Sequence, residues 1–232
     1  RRLSLRKTLF IIASKSGGTV ETRSHEAYLL DKVANLGVKR PGLQFVAITD
    51  KGSSLESFAK QYKYRKVFVN PSDIGGRYSA LSLFGLVPGF FAGVKLRALL
   101  DSAVAMGKLL RERTGESNPA LALAALMTAS AQTGRDKLTC IATPEWAPLV
   151  PWIEQLVAES TGKQGRGIMP IDAEPLGKAE SYGGDRAFLF LRAVGQKNRA
   201  QSLLKGGLHA QGAPAIEIEL SDIHDLGGQF LL

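Results

Sequence analysis

The nine residues Ser14-Lys15-Ser16-Gly17-Gly18-Thr19-Val20-Glu21-Thr22 set four hydroxyls and one ammonium around two glycines. They follow the apolar run Leu9-Phe10-Ile11-Ile12-Ala13 and lead into a stretch with helical periodicity. A strand that turns on glycines into a helix points the helix's first N–H groups, and the positive end of its dipole, at one place outside the chain. Ser14, Ser16, Thr19 and Thr22 can each donate to a phosphate oxygen there, and Lys15 supplies charge. The chemistry implied is the binding of a phosphorylated small molecule. Strand-to-helix turns collect Gly, Ser and Thr as caps and turn formers in any case. A cap, however, takes one side chain, and four hydroxyls exceed that need.

A second glycine-rich loop, Asn70-Pro71-Ser72-Asp73-Ile74-Gly75-Gly76-Arg77-Tyr78-Ser79, also follows an apolar run and precedes a long helical region. Ligands of open α/β sheets sit outside the carboxyl ends of the strands, so these two loops can face one site. Arg77 could instead pair with a nearby carboxylate such as Asp73, the common fate of a surface arginine. The two glycines before it point to close backbone approach. A third polar segment runs from Glu159 through Ser160-Thr161-Gly162-Lys163 to Gly167. It resembles a nucleotide-binding loop only superficially, because Val157 and Gln164 stand where that motif wants glycine and a hydroxyl. No Gly-x-Gly-x-x-Gly run opens the first helix, which argues against a dinucleotide cofactor.

The elements that must position these loops alternate. Strands are predicted over Lys7 to Ala13, Phe45 to Thr49 and Lys66 to Asn70, with helices over Glu21 to Leu36, near Leu55 to Tyr62, and over residues 93–113. Ala27, Leu30, Val33 and Ala34 mark the expected buried face of the first helix. Asn118 caps a further helix with Pro119 in its first turn. Beyond a boundary placed near residue 115 the plan repeats. Strands are predicted over Lys137 to Ala142, Ile168 to Ile171, Ala187 to Arg192 and Ala215 to Leu220, with helices over Pro148 to Ala158 and near Lys197 to Lys205. Alternation of this kind means parallel sheets covered by helices. The expected fold class is α/β, with two doubly wound, flavodoxin-like domains over residues 1–115 and 116–232.

The 232 residues are 44% hydrophobic and 22% charged, with no apolar run near the roughly 20 residues of a membrane span. A soluble, cytoplasmic protein is expected. The net charge of +9 suits small anionic substrates or nucleic acid. The charges are scattered and only 7% of residues are aromatic, with no helix-turn-helix or zinc signature, so nucleic acid is not expected as a partner. The single cysteine, Cys140, lies in an apolar run and is expected to be inert in a reducing compartment.

Together, the segments 14–22, Gly75-Gly76-Arg77-Tyr78-Ser79 and Gln155-Leu156-Val157-Ala158-Glu159-Ser160-Thr161-Gly162-Lys163 resemble phosphoglucose isomerase in content, order and separation. Gly17-Gly18 and Ala158 to Lys163 look more like the branch fused behind a transaldolase. The resemblance implies two sugar-isomerase (SIS) domains that interconvert glucose 6-phosphate and fructose 6-phosphate through a cis-enediol, with no metal or organic cofactor. By the same resemblance, Ser14, Lys15, Ser16 and Thr19 would hold the sugar phosphate, with Gln155 near it. Gly76 and Arg77 would flank the reacting carbons, and Glu159 would be the catalytic base. One carboxylate above C1 and C2 can move a proton between them, and Arg77 would stabilise the enediolate oxygen. Partial burial of Glu159 is expected. The bland account of Glu159 is a solvated residue at a helix end.

The family's ring-opening histidine and far C-terminal lysine match nothing secure, so His25, His209 and His224 are not carried over. The family's Gly-Gly-Ser phosphate loop would precede Arg1 and its C-terminal region would follow Leu232. The chain is therefore expected to be a portion of a longer enzyme, its second domain truncated. A homodimer is expected from the family. The competing expectations are a non-catalytic sugar-phosphate-binding or regulatory module and an isomerase for another phosphosugar such as mannose 6-phosphate.

Overall fold

The computed structural model describes residues 3–196 and 198–232, residue 116 by its backbone alone. Its contacts fall into two compact units, one through Arg97 and one from Ala98 to Leu232.

The first unit is built on three parallel strands, β1 (Phe10–Ala13), β2 (Phe45–Asp50) and β3 (Lys66–Asn70), in the order β1-β2-β3. Ile12 stands opposite Ala47, which stands opposite Val67. Helices α1 (Val20–Asn35) and α2 (Ser54–Gln61) make the two crossovers, and α3 (Leu83–Phe91) follows. Strand β1 starts later than Lys7, because residues 5–7 coil into a 3-10 turn closed by Lys7 N–H on the Ser4 carbonyl (2.9 Å). Phe45, Ile12, Leu55 and Val33 form the core, and the Phe10 and Phe45 rings stack with centroids 4.9 Å apart.

The buried face of α1 differs from the expected one. Ala27 and Ala34 are exposed, and the covered positions are Glu26, Leu29, Leu30 and Val33. Glu26 is fully buried because two donors meet it: the Tyr64 hydroxyl at 2.5 Å and the Arg23 guanidinium, which also lies over the Phe58 ring. A buried carboxylate is tolerable only with such partners.

In the second unit, β4 (Lys137–Ala142), β5 (Met169–Ile171), β6 (Arg186–Ala193) and β7 (Ala215–Leu220) form a parallel sheet in the order β5-β4-β6-β7. The chain steps outward from β4 to β5 and then crosses back to β6, which puts a topological switch between β4 and β6. Helices α4 (Leu96–Glu112, nearly all in this unit), α5 (Pro119–Gln132), α6 (Val150–Thr161), α7 (Arg199–Ala210) and the short α8 (Leu226–Gln229) surround it. The expected helix near Lys197 is α7; Lys197 itself lies outside the described residues. Along β6, Leu189 and Leu191 join a core with Trp146 and Val150, while Phe188 and Phe190 join another with Leu204 and Leu208. That alternation means both sheet faces are covered.

Asn118 caps α5 as expected, accepting from the N–H groups of Ala120 (3.1 Å) and Leu121 (3.2 Å). The division of the units falls between Arg97 and Ala98, upstream of residue 115. Packing explains it: a Cβ on Gly227 would stand 1.8 Å from the Leu99 carbonyl oxygen, so α8 lies directly on the backbone of α4. Among the described residues, no helix is long and apolar enough to cross a membrane.

Candidate functional site

Parallel strands bring the loops after β1, β2 and β3 to one edge of the first sheet, and hydrogen bonds tie the loop after β1 to the carboxyl end of β2. Ser14 N–H donates to the Ile48 carbonyl (3.1 Å), Asp50 N–H to the Lys15 carbonyl (3.1 Å), and the Thr49 hydroxyl to the Ser14 carbonyl (2.6 Å). Gly17 turns the loop at φ +74°. A Cβ there would stand 2.5 Å from the backbone nitrogen of Leu55, so only glycine fits between this loop and the start of α2. The Ser54 hydroxyl fixes the same junction by donating to the Gly17 carbonyl (2.9 Å).

The hydroxyls of the loop divide into two kinds. Ser14 is buried; its oxygen accepts from Gly17 N–H (3.1 Å) and lies 2.9 Å from the Thr19 hydroxyl, so it shapes the turn from within. Ser16 and Thr19 are exposed on the rim, and Thr22 is half-buried in the first turn of α1. Thr19 occupies the N-cap of α1 but makes no side-chain cap bond. The first N–H groups of the helix therefore remain available to an anion.

Lys15 does more than the sequence suggested. Its ammonium lies 2.5 Å from Asp50 Oδ2 and donates to the Ser72 carbonyl at 2.8 Å, joining the loop after β1 to the end of β2 and to the loop after β3. Sequence reasoning assigned Asp50 no role. The signal available was a charged residue closing a strand that is otherwise apolar except for Thr49.

Gly76 opens a 3-10 turn (Gly76–Leu81) after β3, and Arg77 is half-buried beside the Tyr78 ring, 6.0 Å from its centroid. Nothing among the described residues lies within 4 Å of a Cβ placed on Gly76, and a Cβ on Gly75 meets only the Tyr78 ring, at 3.1 Å. The close approach expected at these glycines is thus not made by protein; the backbone at Gly76 borders open space.

Gln155 and Glu159 belong to the second unit. They lie one turn apart on α6 and both are exposed, so Glu159 lacks the partial burial expected of it. The end of α6 nearest Glu159 is tied to the start of β5, since the Thr161 hydroxyl accepts from Ile168 N–H (2.9 Å) and Met169 N–H reaches the Asp136 carbonyl (2.8 Å). Glu159 therefore lies toward the amino end of its sheet, the end the carboxyl-edge rule does not search. The segment after it closes as a tight hairpin, with Gln164 (φ +55°) and Gly165 (φ +74°) between the bridged Lys163 and Arg166. It follows a helix C-terminus, where carbonyls and not N–H groups face outward, so it cannot cradle a phosphate in the manner of a nucleotide-binding loop.

Cys140 is buried and its thiol is pushed up to about 12, first by burial and then by Asp172 and Glu154, which leaves it unreactive. No group of three or more His, Cys, Asp or Glu side chains among the described residues is placed to hold a metal ion.

Comparison with known proteins adds to this geometry. The phosphoglucose isomerase family model matches residues 1–168, a span that contains every candidate site residue. A glucose-6-phosphate isomerase of Acaryochloris marina is 36% identical over 160 residues, which is 68% of this chain and 30% of that protein. One from Geobacter sp. is 35% identical over 168 residues, 69% of this chain and 31% of that protein. The chain thus spans about 30% of the length of the curated relatives it matches. Among solved structures, a hypothetical protein of Thermus thermophilus matches 99% of this chain and 65% of its own at TM-score 0.79 and 23% identity. A glucose-6-phosphate isomerase of Chlamydia trachomatis matches 98% of this chain and 53% of its own at TM-score 0.72 and 20% identity. At those identities the two structures speak for the fold.

Proposed function

The chain belongs to the phosphoglucose isomerase family, and from that premise we propose that it serves the interconversion of glucose 6-phosphate and fructose 6-phosphate, as a cytoplasmic homodimer. The observation that carries this reading is the rim of the first unit: exposed Ser16 and Thr19 beside an uncapped helix N-terminus, on a turn only glycine permits. Ser16, Thr19 and the first N–H groups of α1 would take the phosphate oxygens, with Ser14 and Lys15 holding the loop's shape around them. The open backbone at Gly76 leaves room for the sugar, and Arg77 would stabilise the oxygen that becomes negative as the enediolate forms.

Glu159 would remove the proton from C2 of the open-chain aldose, the C–H electron pair forming the C1–C2 double bond of the cis-enediolate as the carbonyl pair moves to O1; the C2 hydroxyl proton then passes to O1, leaving the charge on O2 to re-form a carbonyl. Return of the same proton to C1 gives the ketose, so one carboxylate serves as base and then acid. Gln155, one turn back on α6, would help hold the phosphate end of the substrate. The fusion behind a transaldolase suggested by Gly17-Gly18 and residues 158–163 is part of the same reading.

The test is conversion of fructose 6-phosphate to glucose 6-phosphate, coupled to a dehydrogenase, in parent and Glu159→Gln. The proposal expects at least a roughly thousandfold loss of turnover with affinity for fructose 6-phosphate kept within about threefold, since the amide preserves shape while removing the base. Equal turnover in both would remove Glu159 from the mechanism. No turnover in either, with phosphosugar still bound, would make the chain a binding module.

A further inference from the structure

Lys15 supplies the cation of the phosphate rim, yet its ammonium is already engaged. Asp50 Oδ2 lies 2.5 Å away and the Ser72 carbonyl accepts at 2.8 Å, so two of its three donors are engaged by other segments before any ligand arrives. The Asp50 side chain retains 16% of its exposure, and its other oxygen, Oδ1, is buried without a hydrogen-bond partner among the described residues. A mostly buried carboxylate of this kind depends on its ionic partner.

The backbone points the same way. Asp50 N–H donates to the Lys15 carbonyl at 3.1 Å, so residues 15 and 50 are joined twice, once through the main chain and once through side chains. The Lys15 ammonium also ties the loop after β3 to the first loop, through Ser72. Ser72 precedes Gly76 and Arg77 by a few residues, so whatever fixes Ser72 fixes the start of the segment that carries Arg77.

We propose that Asp50 is a positioning residue of this site: by holding the Lys15 ammonium against the Ser72 carbonyl, it fastens the loop after β1, the carboxyl end of β2 and the loop after β3 into one rim before a phosphosugar binds. The inference rests on the proposed phosphosugar site. Its consequence is that Asp50 raises anion affinity although it is itself an anion, because order gained in the empty site need not be imposed on binding. A carboxylate that merely neutralised Lys15 would have the opposite effect.

Amide hydrogen exchange on the ligand-free chain tests the latch without reference to any ligand. In Asp50→Asn, and again in Lys15→Met, which breaks the contact from its more exposed side, exchange over residues 72–76 should rise at least about tenfold while the β2 amides stay protected. Fructose 6-phosphate titrated into both variants and the parent then tests the consequence. Each variant should bind at least about tenfold more weakly, and the double variant no more weakly than Lys15→Met alone. Unchanged exchange over residues 72–76, or tighter binding by Asp50→Asn, overturns the proposal. Increased exchange in both variants beside a parent that binds no phosphosugar would leave the latch standing and remove the function it was assigned to serve.

Discussion

The rim of the first unit and the helix α6 of the second hold the candidate residues in different ways. At the rim, the backbone is the site: Gly17 leaves no room for a side chain, Ser14 is buried within the turn, and Lys15 ties its own loop to the end of β2 and the loop after β3. On α6, Gln155 and Glu159 are exposed side chains set one turn apart on a regular helix, and the helix would form equally well with other residues there. The difference teaches that binding and chemistry should be separable by mutation. Changes at the rim should cost stability and affinity together, whereas changes on α6 should leave stability unmoved, Glu159→Gln costing turnover and Gln155→Ala affinity.

Gly17→Ala is the harshest way to press on that contrast. Alanine at φ +74° costs about 1–2 kcal/mol for the left-handed backbone, and its methyl would press on the Leu55 nitrogen at 2.5 Å, adding about 1–3 kcal/mol of overpacking. Chemical denaturation should show the first unit losing about 3 kcal/mol, and fructose 6-phosphate binding should fail with it. Gly165→Ala is the matching change in the second unit, at φ +74° but with nothing within 4 Å. It should cost about 1 kcal/mol, from the backbone alone. Equal losses would mean that the close approach at Gly17 is not what constrains the rim.

Opposed pH dependences offer a milder test of how each unit handles buried charge. Glu26 is raised above its ordinary 4.5, chiefly by burial, with the Tyr64 hydroxyl and Arg23 pulling the other way. The folded chain thus holds this proton more tightly than the unfolded one, so the stability Glu26 contributes is full below about pH 4.5 and lost as pH rises through its folded value. Glu217 in the second unit is lowered. Burial pushes it up, but Lys205 at 2.9 Å and Arg192 at 3.3 Å outweigh that. Its contribution is present above about pH 4.5 and lost as pH falls through its folded value. The stability of the parent relative to Glu26→Gln should therefore shrink as pH rises, and relative to Glu217→Gln it should grow. Both tryptophans, Trp146 and Trp152, lie in the second unit, so their fluorescence follows Glu217, while exchange of β2 amides follows Glu26. Slopes of the same sign would show that one of the two ion networks is misassigned.

Several of these features were legible in the sequence and others could not have been. Strand β3, strand β4, strand β7 and the Asn118 cap announce themselves, because apolar runs and capping residues act locally. Glu26 did not, because a glutamate between Arg23 and Leu29 reads as surface until Tyr64, 38 residues away, supplies its partner. Asp50 was hidden for the same reason: its partner is Lys15, 35 residues earlier. The phosphate loop was visible since its hydroxyls and glycines are contiguous. The exposure of Glu159 was not, since the neighbours that decide burial are distant in sequence.

The smallest effect belongs to α6 and completes the contrast. Gln155 and Glu159 are exposed and lie in the interior or last turn of a twelve-residue helix, away from its core-facing Trp152 and Ile153. Alanine at 155 and glutamine at 159 both favour helix as well as the residues they replace, and surface changes of this kind stay within about 0.5 kcal/mol. Tryptophan fluorescence during urea unfolding should accordingly be superimposable for the parent, Gln155→Ala and Glu159→Gln, even where turnover differs about a thousandfold. A loss above about 1 kcal/mol in either variant would show that these side chains brace the helix, and any accompanying loss of activity would then say nothing about chemistry. Unmoved stability with abolished turnover in Glu159→Gln would instead place that carboxylate at the reacting carbons, where side-chain identity and not the helix beneath it sets the rate.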